Sequence, residues 1–298
     1  MEYKKLGNSD LEISSIGFGC MSLKGSDNEN GELLKKALDS GINYFDTADL
    51  YDHGQNEITV GKYLKPVRQK VIIATKAGNQ WRKDGSGWDW NPSKEYILAC
   101  ADESLKRLQT DYIDLYQLHG GTINDPIDET IEAFEILKQQ GKIRCYGISS
   151  IRPNVIREYV KKSKIVSVMM QYSLLDRRPE EECLDLLSKN NIGVVTRGTV
   201  AQGLLINKPT KEYLGYSIED VSKAANAIKS FSNDKRNETQ VTIRFALQNQ
   251  AITSTIIGIR NLSQLEEAVK TISTPLLSNE ELERLKNVIP VNFYKEHR

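Results

Sequence analysis

Four residues in the first half of the chain carry side chains suited to moving a proton: Asp46 and Tyr51 in FDTADLYDHGQNE (Phe45–Glu57), Lys76 at the end of IIATK, and His119 at the end of LYQLH. A tyrosine is a poor donor near neutral pH, because its unperturbed pKa is about 10. An ammonium beside it favours the phenolate and makes donation easier. Lys76 could serve as that ammonium, and a carboxylate such as Asp46 would hold the lysine in place and keep it charged. His119 adds a hydrogen bond that orients a substrate oxygen or completes a proton relay. Such a group suits a reaction in which a carbonyl oxygen gains negative charge and needs a proton. Reduction by hydride is such a reaction, and since side chains supply no hydride, a nicotinamide cofactor is implied. Each residue alone has an ordinary explanation: a turn or helix cap for Asp46, packing for Tyr51, a solvated strand end for Lys76, a hydrogen-bonded rim residue for His119. Only their convergence makes chemistry the better reading.

Convergence requires elements that bring distant positions together. Eight short apolar runs recur: ISSIGFGC (13–20), INYFD (42–46), KVIIATK (70–76), YIDLYQLH (112–119), IRCYGISS (143–150), IVSVMMQ (165–171), IGVVTR (192–197) and TSTIIG (253–258). Helical patterns separate them, including GELLKKALDSG (31–41), SKEYILACADESLKRLQ (93–109) and IDETIEAFEILKQQGK (127–142), while SNEE offers a capping box between Ser278 and Glu281. Strands alternating with helices imply a parallel sheet. Eight of them favour an α/β fold of the (β/α)8 TIM barrel type, with YKKLGNSDLEIS as a short N-terminal β-hairpin turning at GNSD. No linker or repeat divides residues 1–298, so a single barrel domain is expected. Active sites of such barrels lie at the carboxyl ends of the strands. Here those ends are Asp46, Lys76, His119, Ser149 with Ser150, Gln171, and Thr196 with Arg197.

Composition narrows the alternatives. Lys plus Arg and Asp plus Glu both number 40, giving no net charge to attract nucleic acid or an anionic membrane. The opening segment lacks the apolar core of a signal peptide, and no apolar stretch is long enough to span a bilayer. Cys20, Cys100, Cys145 and Cys183 lie far apart without a CxxC, the usage of a reducing compartment, so a cytoplasmic protein is expected. Only three histidines occur, none at metal-ligand spacing, which argues against a metal-dependent hydrolase.

These motifs in this order resemble the aldo-keto reductase family over essentially the whole chain. FDTADLYDHGQNE is similar to its signature; IIATK, SLKRLQTDYIDLYQLHG, GKIRCYGISS, MMQYS, GLLINK and IIGIRNLSQLEEA come after it as in that family. The resemblance implies an NAD(P)H-dependent reductase of aldehydes or ketones in which Tyr51 is the general acid, Lys76 and Asp46 tune it, and His119 orients the carbonyl. It implies that Gly19, Cys20 and Met21 approach the nicotinamide, that Ser149 and Gln171 bind the carboxamide, and that Gly203, Leu204 and Lys208 close over the pyrophosphate. Gly258, Arg260, Gln264 and Glu267 fall where the family holds the adenosine end. Arg260 could pair with a 2′-phosphate, favouring NADPH while leaving NADH open.

Three departures stand out. Ser150 replaces a frequent asparagine of the carboxamide site, Ala268 replaces one of the adenine site, and Arg197 stands where an aromatic ring often stacks on the nicotinamide. A guanidinium can stack or contact phosphate, and either role is open for Arg197. All three tryptophans, Trp81, Trp88 and Trp90, fall in NQWRKDGSGWDWNPS after Lys76, and Trp81 is the one expected to line the substrate pocket. The expected partner is a small-molecule carbonyl compound, the chain acting as a monomer or weak homo-oligomer. The alternative is an NADPH-binding regulatory protein resembling the β subunits of voltage-gated potassium channels.

Overall fold

In the computed structural model, which describes residues 1–298, every one of the eight apolar runs contains a strand. The chain opens with an antiparallel hairpin, β1 (Tyr3–Lys5) and β2 (Glu12–Ser14). Then come β3 (Ile16–Gly19), β4 (Tyr44–Asp46) and β5 (Ile72–Ala77). A second antiparallel hairpin, β6 (Asn79–Trp81) with β7 (Trp88–Trp90), precedes β8 (Ile113–Leu118). The remaining strands are β9 (Ile143–Ser149), β10 (Ser167–Gln171), β11 (Gly193–Arg197) and β12 (Ile252–Gly258). Strands β3, β4, β5, β8, β9, β10, β11 and β12 pair in parallel around a closed barrel, β12 returning to β3. This is the TIM barrel with an N-terminal hairpin that the alternation of strands and helices predicts.

Side chains alternate along a strand, so every second residue enters the barrel. Tyr44, Ile72, Ala74, Leu115, Met169, Val195 and Ile256 form an inner core joined by Leu6, Leu11 and Ile13 of the hairpin. Two residues further along their strands, Tyr44 leads to Asp46, Ala74 to Lys76 and Leu115 to Gln117, all on the same inward face. The hairpin closes the opposite, amino-terminal end. Gly7 there has φ +56°, and a Cβ on it would lie 2.4 Å from the Val166 carbonyl oxygen and 2.8 Å from the Gly193 amide. Only glycine permits that close approach to the strand starts.

Helices cover the outside, and their starts obey capping chemistry. Ser278 and Glu281 form the expected capping box of Asn279–Lys286. The helix anticipated from Gly31 begins instead at Asp27, because Ser26 and Glu29 form a capping box four residues earlier. Gly31 is internal to that helix rather than a boundary; a Cβ there would lie 2.2 Å from the Tyr63 ring, so two helices approach closely across it. The segment after Lys76, read as a loop, is the β6–β7 hairpin, pairing Asn79 with Trp90 and Trp81 with Trp88. Alternation in NQW and WDW carried that information, but three-residue strands are too short to stand out.

Candidate active site

Asp46 and Lys76 end adjacent parallel strands, with Asp46 opposite Ala74, so Lys76 reaches one step further toward the barrel mouth. Both are removed from solvent, Lys76 completely. Lys76 Nζ donates to Asp46 Oδ1 at 2.7 Å, to the Thr47 carbonyl at 2.7 Å and to the Tyr51 hydroxyl at 3.4 Å. An ammonium has three N–H groups, so its donors are fully engaged. Burial by itself would lower the Lys76 pKa, but the charge of Asp46 and the Tyr51 oxygen outweigh it and hold the ammonium above its ordinary range. Burial raises the Asp46 carboxyl, against the pull of Lys76. The ring of Tyr51 meets that of His119 edge-on, centroids 5.8 Å apart, and the His119 amide donates to Ala77 on the lysine strand at 2.8 Å. The four residues singled out by type and spacing therefore meet at one end of the barrel.

Tyr51 sits on an unusual turn. Asp52 and His53 both have φ +51° and Gly54 has φ +83°, three left-handed residues in succession. Such backbone is costly for residues with a Cβ and persists only where the surroundings hold it. Here they do. Thr47 Oγ1 bonds Asn56 Oδ1 at 2.7 Å, and Asn56 Nδ2 donates to the Cys20 carbonyl at 2.8 Å. Glu57 is fully buried; it accepts from Thr75, the residue before Lys76, and from Arg107 Nε at 2.7 Å. The tyrosine turn is thus fastened to the lysine strand and to the helix Lys94–Leu108. Asp49, which sequence reasoning passed over, lies in the same cluster, its carboxyl pushed up to about 7 by burial and by Glu57.

Burial, with Lys76 and Arg197 nearby, lowers the His119 imidazole to about 3. It is neutral through the physiological range, and its Nδ1 is buried without a partner. His53 stacks on Trp81, ring centroids 3.7 Å apart and planes 24° apart, so Trp81 packs against the tyrosine turn. Trp88 is largely exposed, and Trp90 Nε1 is turned away to Asp125 at 3.0 Å.

Five residues expected to bind a cofactor, Gly19, Ser149, Gln171, Arg197 and Gly258, are the last residues of barrel strands. Gly19 ends β3; Cys20 buries its thiol in the core, and Met21 is exposed. Ser149 and Gln171 end β9 and β10. Ser150 Oγ accepts from the Arg152 amide at 3.2 Å, a use internal to the turn. Arg197 Nη1 donates to Gln171 Oε1 at 3.1 Å, and Gln171 Nε2 donates to the Tyr213 hydroxyl at 2.8 Å. Tyr213 comes from a turn that carried no recognisable signal. Gly203 has φ +92°, Lys208 packs across it, and Leu204 is buried. Beyond β12, Gly258 and Arg260 are exposed before the helix Leu262–Lys270, capped by Asn261. The Arg260 amide donates to Gln264 Oε1 at 2.9 Å, while Glu267 Oε1 accepts from Asn237 Nδ2 at 2.6 Å. Arg197, Lys208 and Arg260 have no carboxylate partner, as is true of most Lys and Arg side chains of this chain. No helix is long and apolar enough to cross a membrane.

Residues 15–290 match the sequence profile described as the aldo/keto reductase family. The uncharacterized oxidoreductase YqkF of Bacillus subtilis (strain 168) is 51% identical over 307 residues, covering all of both chains. The NADH-specific methylglyoxal reductase of Escherichia coli (strain K12) is 34% identical, covering 70% of each chain. The solved holo form of the aldo-keto reductase AKR11C1 from Bacillus halodurans superposes with a TM-score of 0.94 at 46% identity, covering 100% of this chain and 99% of that one.

An imidazole held near 3 stays neutral where the unfolded chain, with a histidine pKa of about 6.5, takes a proton. His119 therefore lowers folding stability as pH falls from about 6.5 toward about 3. In a histidine NMR titration, the resonance lost in His119→Gln is expected to stay fixed between about pH 5 and 8; a midpoint inside that window would contradict the neutral assignment.

Proposed function

The chain belongs to the aldo-keto reductase family of oxidoreductases, and from that premise we propose that it reduces aldehyde or ketone carbonyls to alcohols with Tyr51 as the general acid. A bound nicotinamide cofactor would supply the hydride. The observation that carries this reading is the position of the buried Lys76 ammonium, gripped by Asp46 at 2.7 Å and turned toward the Tyr51 oxygen at 3.4 Å. As the substrate oxygen gains charge, Tyr51 gives it a proton, and Lys76 stabilises the charge left on the phenolic oxygen. Asp46 keeps the ammonium charged and aimed. Neutral His119 orients the carbonyl by hydrogen bonding, which suits its edge-on contact with the tyrosine.

Ser149 and Gln171 would hold the carboxamide, with Gly19, Cys20 and Met21 lining the nicotinamide face. Arg197, bonded to Gln171, lies on the carboxamide side; this supports stacking of its planar group over a phosphate contact. Gly203, Leu204 and Lys208 would cover the pyrophosphate, and Gly258, Arg260, Gln264 and Glu267 the adenosine. Arg260, exposed and without a carboxylate partner, supports NADPH. The NADH-specific relative makes the choice of cofactor a matter for direct measurement. Trp81, stacked on His53 two residues after Tyr51, would form one wall of the substrate pocket.

Turnover of a reactive aromatic aldehyde, measured at the nicotinamide absorbance, is expected to fall roughly 10²–10⁴-fold in Tyr51→Phe, while cofactor binding persists by tryptophan quenching. Wild-type activity retained in Tyr51→Phe would rule out the assigned acid; tight cofactor binding without turnover across a broad carbonyl panel would favour a regulatory role. Arg260→Glu should weaken NADPH about 10- to 100-fold, the worth of a charge-assisted contact, and leave NADH nearly unchanged; equal losses for both cofactors would remove the 2′-phosphate assignment. Trp81→Ala should raise KM for aromatic aldehydes by roughly the tenfold that an aromatic contact is worth. If it alters thermal stability alone, Trp81 is packing and no more.

A further inference from the structure

Gln117 stands in the barrel interior with nothing to bond. It occupies β8 directly opposite Lys76 on β5 and shares the inward face with Leu115. It is fully buried, and neither Oε1 nor Nε2 has a partner. Beside it the second oxygen of Asp46, Oδ2, is also buried and unpartnered, as is the hydroxyl of Tyr44 two residues earlier on β4. Buried polar groups are almost always hydrogen-bonded, and each one left unmade costs free energy. Other buried polar atoms also lack a partner, but Tyr44 and Gln117 are set apart because both act on Asp46, and the three form one polar device.

Donor and acceptor chemistry narrows what the device does. Lys76 has no N–H left for the amide oxygen, since Asp46, Thr47 and Tyr51 take all three. A carboxylate only accepts, so Asp46 Oδ2 needs a donor, and Gln117 Nε2 and the Tyr44 hydroxyl are the unengaged donors facing it. The amide lies close enough to favour the ionised carboxylate, while its approach to Oδ2 falls short of hydrogen-bond geometry. One water is the natural bridge in a polar space with this many partners. Gly147, opposite Gln117 on β9, keeps the neighbouring wall bare: a Cβ there would lie 2.5 Å from the Ser167 carbonyl.

We propose that Gln117 is a positioning residue for the Asp46–Lys76 pair, its amide and the Tyr44 hydroxyl holding one internal water against Asp46 Oδ2 so that Oδ1 stays turned to Lys76. This rests on the reading of Asp46 and Lys76 as the groups that assist Tyr51. The titratable and charged groups around Asp46 are Cys20, Tyr44, Tyr51, Lys76, His119 and Arg197. Gln117 adds an uncharged donor that favours the ionised carboxylate, so losing it raises the pH at which the pair is neutralised.

In Gln117→Met, which keeps the volume and removes the amide, kcat at neutral pH should fall roughly tenfold and the acid limb of kcat/KM should move to higher pH by about one unit. Cofactor Kd should hold, and Tm should hold or rise. A Tm change with kcat and the acid limb unmoved overturns the proposal. Should the variant fail to fold, a high-resolution crystal structure of the wild-type protein decides: a water joining Gln117, Tyr44 and Asp46 Oδ2 supports it, and a map with no water between them overturns it. Lys76→Met separates the two levels. If it abolishes turnover while Gln117→Met is inert, only the present inference fails; if both variants turn over normally, the catalytic reading itself falls.

Discussion

A lysine with no solvent exposure at the centre of a barrel mouth is sustained only by what surrounds its charge. Desolvating an isolated ammonium is far more costly than a folded chain can bear, so Lys76 must be paired. Asp46, the Thr47 carbonyl and the Tyr51 hydroxyl provide that environment within hydrogen-bond reach. Removing one member of such a pair typically costs about 3–5 kcal/mol, while the intact pair adds little net stability. The pair therefore constrains rather than stabilises: it dictates where β4 and β5 end, the path of the turn after β4, and the atoms that face the mouth.

The turn that carries Tyr51 answers to that constraint. Three successive left-handed residues return the chain so that the phenol lies over the ammonium, 5.0 Å from Nζ to ring centroid. Backbone of this kind relaxes unless fastened, and the fastenings are polar and buried: Thr47 with Asn56, Asn56 with Cys20, Glu57 with Thr75 and Arg107. Glu57 links the turn to the residue preceding Lys76, so tyrosine and lysine are positioned by one network. His53 extends the turn outward onto Trp81 and ties it to the β6–β7 hairpin.

The barrel separates stability from chemistry along its axis. At the amino-terminal end, Leu6, Leu11 and Ile13 of the hairpin complete an apolar inner core. Toward the other end the same inward positions turn polar, from Ala74 to Lys76, Leu115 to Gln117 and Tyr44 to Asp46. Inner-core packing fixes strand register, and register fixes which polar atoms meet.

Much of this was legible in the linear chain. Eight apolar runs at helical separations specify the barrel, because each run must bury both faces and each intervening amphipathic segment only one. The ends of those runs named Asp46, Lys76 and His119, since a polar residue finishing a buried strand has few places to point other than the mouth. The helix start at Ser278 could be read from its capping box with Glu281. The features that escaped were set by neighbours distant in sequence. Gly31 reads as the start of a helix until the Tyr63 ring is seen against it, and Gln117 reads as an ordinary strand residue until Asp46 Oδ2 is found near it without a partner. Tyr213 reaches Gln171 from a turn with no pattern of its own. Local periodicity and residue type determine the elements and the identity of the groups at their ends, because those depend on near neighbours and on burial. Which groups touch, how far His119 is driven from its ordinary pKa, and which polar atoms are left wanting a partner depend on desolvation and register across the closed barrel, and only the tertiary structure decides them.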